Sequence, residues 1–202
     1  MTSAEELRDP VREQLLDAAE QVFYSRGIQA VGMDRLRTAA NLPLRRIYQL
    51  YPSKDDLVVA FLRRRHERMM GSIADFVAKT DEPHARVAAI FTWLHRWFCE
   101  ADFRGCPWMN AFGELGATTP PVAAEVHHHQ REFRKLLSGI VTDAGFSREA
   151  GTAVYLLAEG AVSAAAVQRT ATPAAEARRT AEIILGAETP GRFRRGAARA
   201  QS

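Results

Sequence analysis

A chain of 202 residues suits one long domain or two small ones, with enough length for a sizeable core. Its 47% hydrophobic and 25% charged residues are ordinary globular values and exclude wholesale disorder. A formal charge of +3 is too small to imply nucleic-acid binding by itself, and two cysteines do not make a disulfide framework.

Residues 1–9 read as a loose arm, polar and acidic and without a signal-peptide core. From Val11, the apolar positions Leu15, Ala18, Ala19, Val22 and Phe23 fall on one helical face. Arg26-Gly27 ends that helix, with Gly27 suited to a left-handed cap. A second helix spans about Met33 to Ala40, where Met33, Leu36 and Ala40 recur at helical spacing. Asn41 then tolerates the left-handed conformation that a helix end often needs, and Pro43 suits the first turn of a third helix.

That third helix runs only from about Pro43 to Gln49. Leu44, Ile47 and Tyr48 can anchor it, while Arg45, Arg46 and Gln49 project elsewhere. Tyr51-Pro52 ends it, because the residue before proline is pushed out of helical geometry. Ser53-Lys-Asp-Asp56 reads as an N-cap with acidic first-turn residues. The fourth helix continues through Leu57, Phe61, Met69, Ile73, Phe76 and Val77 to about Lys79.

Thr80-Asp-Glu-Pro83 interrupts the chain before an amphipathic helix with Val87, Ile90, Phe91, Leu94, Trp97 and Phe98. Gly105-Cys-Pro107 breaks it before Trp108-Met-Asn-Ala-Phe112, and Thr118-Thr-Pro-Pro121 breaks it again. Val122 to Ala144, Ser147 to Arg169 and Pro173 to Leu185 are the last helices. The most apolar stretch, Ala153 to Val167, is broken by Glu159 and Gly160, so no uninterrupted run reaches membrane-spanning length. With no strand-period segment and no repeat, the expectation is an all-α, soluble, cytoplasmic protein of about nine helices, with no membrane partner. The tail, 187–202, carries Gly191-Arg-Phe-Arg-Arg195 and reads as disordered and basic.

Charge distribution says more than net charge. Arg35, Arg37, Arg45, Arg46 and Lys54 occur with no acid between them, a local positive potential that would attract phosphate. Two short helices, a tight turn, an aromatic exit and a capped following helix have the physics of a helix-turn-helix, which places one short helix in the major groove.

This arrangement resembles the TetR family of bacterial transcriptional regulators. The family's small apolar helix, Gly-Val-Ser-like turn, Leu-Tyr-x-Tyr/His-Phe exit and Pro-Ser-Lys-like cap have counterparts here. They are Leu36-Arg-Thr-Ala-Ala40, Asn41-Leu42-Pro43, Ile47-Tyr48-Gln49-Leu50-Tyr51 and Pro52-Ser53-Lys54-Asp55. The likeness covers roughly Pro10 to His66. Arg37, where a small residue is usual, and Asn41 and Arg45, where glycines are common, depart from the pattern. A second segment, Arg104-Gly-Cys-Pro-Trp-Met-Asn-Ala-Phe-Gly-Glu-Leu115, is similar to the Gly-Cys-x-x-x-Asn-x-x-x-Glu-Leu stretch of one TetR subgroup.

The resemblance implies an N-terminal three-helix DNA-binding domain over 9–69, with its helix-turn-helix at about 32–51. A larger helical ligand-binding and dimerisation domain would cover 70–186. A homodimer would place two copies of the third helix in successive major grooves of a palindromic operator. Arg45 and Arg46 are candidates for bidentate contact with guanine, each worth about 1–3 kcal/mol of discrimination; phosphate contact is the alternative for both. Gln49 could read adenine or touch phosphate. By resemblance Tyr48 and Lys54 grip the backbone and Thr38 assists, with Lys54 and the N–H groups at the start of its helix forming a phosphate site. Arg35, Pro43, Leu44 and Tyr51 complete the candidate interface.

A small apolar or aromatic inducer that releases a repressor from DNA is the implied mechanism. Phe91, Leu94, Trp97, Trp108, Met109 and Phe112 are candidates to line its cavity. Tyr155, with Phe98 and Phe133, adds to that lining, and Asn110, Glu114, His128 or Glu159 could orient the ligand; simple core packing is the alternative for each. Gly160, Ala161, Ala164, Ala165 and Ala166, with Val154, Leu157, Val162, Ile183 and Ile184, suit a dimer interface on the last two long helices.

Two other readings remain open. Cys106, beside Arg104 at a helix start, could be a thiolate that senses electrophiles or oxidants, whereas Cys99 is assigned to the core. Alternatively the chain is a helical small-molecule binder without DNA function, which leaves the arginine-bearing helix unexplained. Three adjacent histidines, His127-His128-His129, point about 100° apart on a helix and cannot jointly ligate one ion. No catalytic constellation, metal set or cofactor motif is present, so an enzyme is not expected.

Overall fold

The computed structural model describes residues 9–188, and among them the chain forms nine helices and no strand. The basic tail expected at 187–202 lies outside the described residues from 189 onward. The helices are α1 (Pro10–Arg26), α2 (Met33–Ala40), α3 (Leu44–Leu50), α4 (Lys54–Ala78) and α5 (Pro83–Phe98). They continue with α6 (Pro107–Leu115), α7 (Pro120–Asp143), α8 (Arg148–Gln168) and α9 (Thr172–Ala187). Two compact units result. One holds the residues through Arg68 together with Cys106–His129; the other holds Met69–Gly105 and the residues from Gln130 on.

In the first unit, local chemistry sets each boundary. Asp9 caps α1 by accepting the Val11 N–H at 2.9 Å, and Pro10 occupies the first turn. Gly27 ends α1 with φ 87 but ψ 150, so its positive φ leads into an extended segment rather than a left-handed helical cap. Asn41, at φ 50 and ψ 45, does take the left-handed conformation that closes α2. Pro43 stands just outside α3 at its N-cap position, with ψ 141, and not in the first helical turn. Ser53 and Asp56 then cap α4 reciprocally: each backbone N–H donates to the other's side chain, at 3.0 and 3.1 Å.

Packing follows from these short elements. Leu15, Ala19, Leu36, Ile47, Leu57 and Leu62 are fully buried, and Phe23 meets Phe61 with ring centroids 5.9 Å apart. Each large apolar side chain buried in this way contributes about 1.5–3 kcal/mol. Gln14 donates from Nε2 to the Ala40 carbonyl at 2.7 Å, tying α1 to the end of α2. Arg64 of α4 binds Glu13, Asp17 and Glu20 of α1 at 2.9, 2.9 and 3.0 Å, and Arg65 shares Glu20. The helix-turn-helix is thus backed by α1, which α4 holds in turn.

His127, His128 and His129 do not behave alike. His127 and His128 are exposed, but His129 is buried, with its ring stacked parallel on Trp108 at 3.4 Å. Its Nδ1 lies 2.9 Å from Nδ1 of His66 on α4.

In the second unit α8 packs most extensively on α9, and α5 packs on both. Gly151 allows α8 close to α7: a Cβ there would lie 3.1 Å from Ser138. Ser147 caps α8 through Ala150, and the Glu188 carboxylate accepts the Ser147 N–H at 3.0 Å. By length and composition α8 is apolar enough to cross a membrane, a property that unbroken apolar runs alone do not reveal. Its Ala158, Ala161, Val162 and Ala165 are buried in the unit's core. Cys99, assigned to the core from sequence, is exposed: it follows the last residue of α5, where the apolar stripe has ended.

Candidate nucleic-acid interface

The turn between α2 and α3 forces α3 to share one face with its neighbours and leave the other bare. Ile47 is fully buried, whereas Tyr48 is 46% exposed and Arg45 and Gln49 are exposed. Arg45, Tyr48 and Gln49 stand three and four residues apart and so share one side of the helix. Leu44, half-buried, flanks them, and Pro43 is exposed at the helix start. A flat cationic fork, a phenol and an amide on one short helix can make base-edge and phosphate hydrogen bonds together.

Two further candidates, Arg46 and Tyr51, are engaged by residues of α1 or its cap. Arg46 points Nη2 at Asp9 Oδ2, 3.2 Å away, so the carboxylate that caps α1 also holds the guanidinium. Tyr51 is 6% exposed, with the Arg12 guanidinium 5.1 Å from its ring centroid. It ends α3 from inside the core. Both placements involve α1 or the residue that caps it, whose side chains sequence periodicity cannot bring to α3.

The flanks are more mixed. Arg35 and Thr38 are exposed on α2 and border an open recess of about 550 Å³ between α1 and α2. The Thr38 hydroxyl donates to the Asp34 carbonyl at 3.0 Å, and Arg37 lies 3.7 Å from the Asp34 carboxylate. Lys54 begins α4 half-buried; desolvation lowers its pKa, opposed by attraction to Asp55 and Glu114. The Ser53–Asp56 box uses two N–H groups at that helix start, so a phosphate there would meet Lys54 and the remaining first-turn amides.

The ligand candidates fall into separate neighbourhoods. In the second unit Phe91, Leu94 and Trp97 are core side chains of α5, and Trp97 packs edge-on to Phe103. Tyr155 and Glu159 both lie near Gln130: the phenol donates to Gln130 Oε1 at 2.5 Å, and burial raises the Glu159 pKa, opposed by the Gln130 amide. In the first unit Trp108 is fully buried, while Met109 and Phe112 are exposed. Met109 borders a recess of about 450 Å³ with Phe23 and Phe61, and His128 lies beside His66 with ring centroids 5.0 Å apart. Cys106 stands half-buried at the N-cap of α6.

Asp9, Arg12 and Gln14 were missed as determinants of the interface. Asp9 preceding Pro10 is a legible capping signal, but its second role depends on a residue 37 positions away.

The sequence model of the bacterial regulatory proteins of the tetR family matches residues 15–61, and that of the tetracyclin repressor-like C-terminal domain matches residues 83–181. The chain belongs to the TetR family. It is 32% identical to the HTH-type transcriptional activator FasR of Mycolicibacterium smegmatis over 71% of its own length. It is 25% identical over 66% of its length to an uncharacterised HTH-type transcriptional regulator of Mycobacterium tuberculosis. The chain spans 62% of the length of either relative. These relatives are regulators and not enzymes.

Solved structures share the fold. A TetR-family regulator from Streptomyces coelicolor superposes with a TM-score of 0.80 at 24% identity, covering 87% of this chain and 94% of that one. The reduced form of NemR from E. coli gives 0.78 at 22%, covering 87% and 98%. The TetR architecture of an N-terminal helix-turn-helix followed by a helical C-terminal domain is therefore the architecture of this protein.

Proposed function

We propose that a homodimer of this TetR-family chain binds a roughly palindromic duplex operator in the cytoplasm and releases it when a small apolar or aromatic ligand binds. The observation that carries this reading is the division of α3 between a fully buried Ile47 and an exposed Arg45, Tyr48 and Gln49. Arg45 and Gln49 read bases, Tyr48 and Lys54 hold phosphate, and Arg35 and Thr38 support them from α2. Phe91, Leu94, Trp97, Tyr155 and Glu159 are the side chains through which the C-terminal unit senses its ligand. Dimerisation through α8 and α9 is supported by Leu156, Val167 and Ile183, which are 61%, 85% and 73% exposed on those helices. Such apolar exposure on two adjacent packed helices suits a self-complementary interface.

Gel-shift titration against the DNA flanking its own gene, with light scattering of the complex, tests the reading. Saturable binding by two protomers, resistant to excess unrelated duplex, is the expected result; equal affinity for all duplexes overturns it. The name of FasR favours a second reading, in which the bound dimer activates transcription. A reporter carrying the operator separates the two: deleting the regulator raises expression for a repressor and lowers it for an activator.

The parked Arg46 makes a further expectation. Asn retains the capping oxygen of Asp9 but not its charge. Asp9→Asn is therefore expected to release Arg46 toward phosphate, tightening DNA binding by roughly two- to fivefold, the scale of an exposed ion pair. The slope of log affinity against log salt should steepen by about 0.9 for one added phosphate contact. An unchanged slope would show that Arg46 stays off the DNA.

A further inference from the structure

We propose that Glu114 of α6 is a positioning residue for DNA reading, acting as a clamp on the turn between α1 and α2. Its Oε1 accepts the Ile28 N–H at 3.0 Å and its Oε2 accepts the Gln29 N–H at 2.7 Å. Gln29 reciprocates, donating from Nε2 to the Glu114 carbonyl at 2.6 Å. Consecutive backbone N–H groups converging on one carboxylate form an anion cradle, and hydrogen bonds to an ionised acceptor are stronger than neutral ones.

The fit is close. Gly27 has φ +87, and a Cβ there would lie 3.3 Å from both carboxylate oxygens. Ile28 and Val31 are buried, so the turn is pinned by its side chains on one side and by Glu114 on the other. The turn leads directly into α2, whose N-cap is Gly32 and has no side-chain capping bond. A helix start with no cap of its own depends on how the preceding turn is held. Because α3 packs on α2, the clamp fixes the placement of Arg45, Tyr48 and Gln49 from a residue outside the reading helix.

A surface-charge role makes the opposite prediction. Lys54, a phosphate candidate, feels the attraction of Glu114. Removing a negative charge from beside it would by itself raise the local positive potential and tighten DNA binding. Loss of a clamp weakens binding, because the DNA-competent arrangement becomes a smaller fraction of the free protein.

The inference rests on the DNA-binding reading, and its test separates the two. Amide hydrogen exchange and operator titration are compared for the wild-type protein, Glu114→Ala and Glu114→Gln. In Glu114→Ala the Ile28 and Gln29 amides are expected to lose protection while those of α8 and α9 keep it. Operator affinity should fall about tenfold at an unchanged salt slope, the scale of a charge-assisted hydrogen bond lost without any phosphate contact. Glu114→Gln, which keeps one acceptor, should fall between the two and guards against a misfolded alanine variant. Exchange at Ile28 and Gln29 that matches wild type in both variants overturns the clamp, whether or not an operator is in hand. Equal or tighter operator binding by both overturns its role in positioning the reading helix.

Discussion

Arg45→Ala is expected to weaken operator binding by about 5- to 150-fold, the equivalent of about 1–3 kcal/mol for a bidentate base contact. The size follows from geometry. Arg45 is exposed on the side of α3 away from its buried Ile47 anchor, whereas Arg46 is engaged by Asp9. Arg45 is thus the better placed of the two adjacent arginines for a base edge. If it reads a base, discrimination between operator and unrelated duplex collapses while the salt slope changes little. If it holds phosphate, affinity for both falls in parallel and the slope drops by about 0.9.

Adding Tyr48→Phe and Lys54→Ala should deepen the loss mainly through the non-specific component, since those groups are assigned to phosphate. None of the three side chains is buried, so the triple variant should unfold in urea near the wild-type midpoint. Wild-type DNA affinity in that folded triple variant would remove α3 from the interface.

Acid is expected to unfold the first unit, with His129 as a leading cause. Burial, together with the nearby His66 and His128, depresses its pKa from 6.5 to about 3. Between those values the unfolded chain binds the proton and the folded chain does not. Stability from this group is therefore complete above pH 6.5 and drains away as pH falls toward 3, at about 1.4 kcal/mol per pH unit within the window. The parallel stack on Trp108 at 3.4 Å and the Nδ1 contact with His66 at 2.9 Å hold this imidazole in a buried site where a charged ring is poorly solvated. Glu159 works in the reverse direction: burial raises its pKa, so its share of stability is present at low pH and lost as pH rises through the raised value.

The comparison that isolates His129 is a urea-unfolding series from about pH 4 to 7, inside the window of its shift, on wild type and His129→Phe. A phenyl ring keeps an aromatic partner for Trp108 and has no proton to gain. The variant is expected to show a flatter dependence of stability on pH. Parallel curves would assign the acid sensitivity to other groups.

Some of this protein was written in short stretches of residues. Asn41 at the end of α2, Ser53 with Asp56 before α4, and Pro10, Pro83 and Pro107 at helix starts act within a turn of their own position. So does the three-to-four-residue spacing that puts Arg45, Tyr48 and Gln49 on one side of α3. The roles of Arg46, Tyr51, His129 and Glu114 were not legible in this way. Arg46 meets an acid 37 residues earlier, His66 meets His129 across 63 residues, and Glu114 reaches back 86 residues to Ile28.

The order of the helices, most of their ends to within a few residues, the all-α class and the spacing that puts Arg45, Tyr48 and Gln49 on one side of α3 were determined by sequence alone, because an α-helix bonds each residue to one four positions away and its caps act within a turn. Which arginine is tethered, which aromatic and which histidine turn inward, and what holds the α1–α2 turn were decided only by tertiary packing. Those outcomes depend on side chains brought together from distant helices, and no local spacing encodes their meeting.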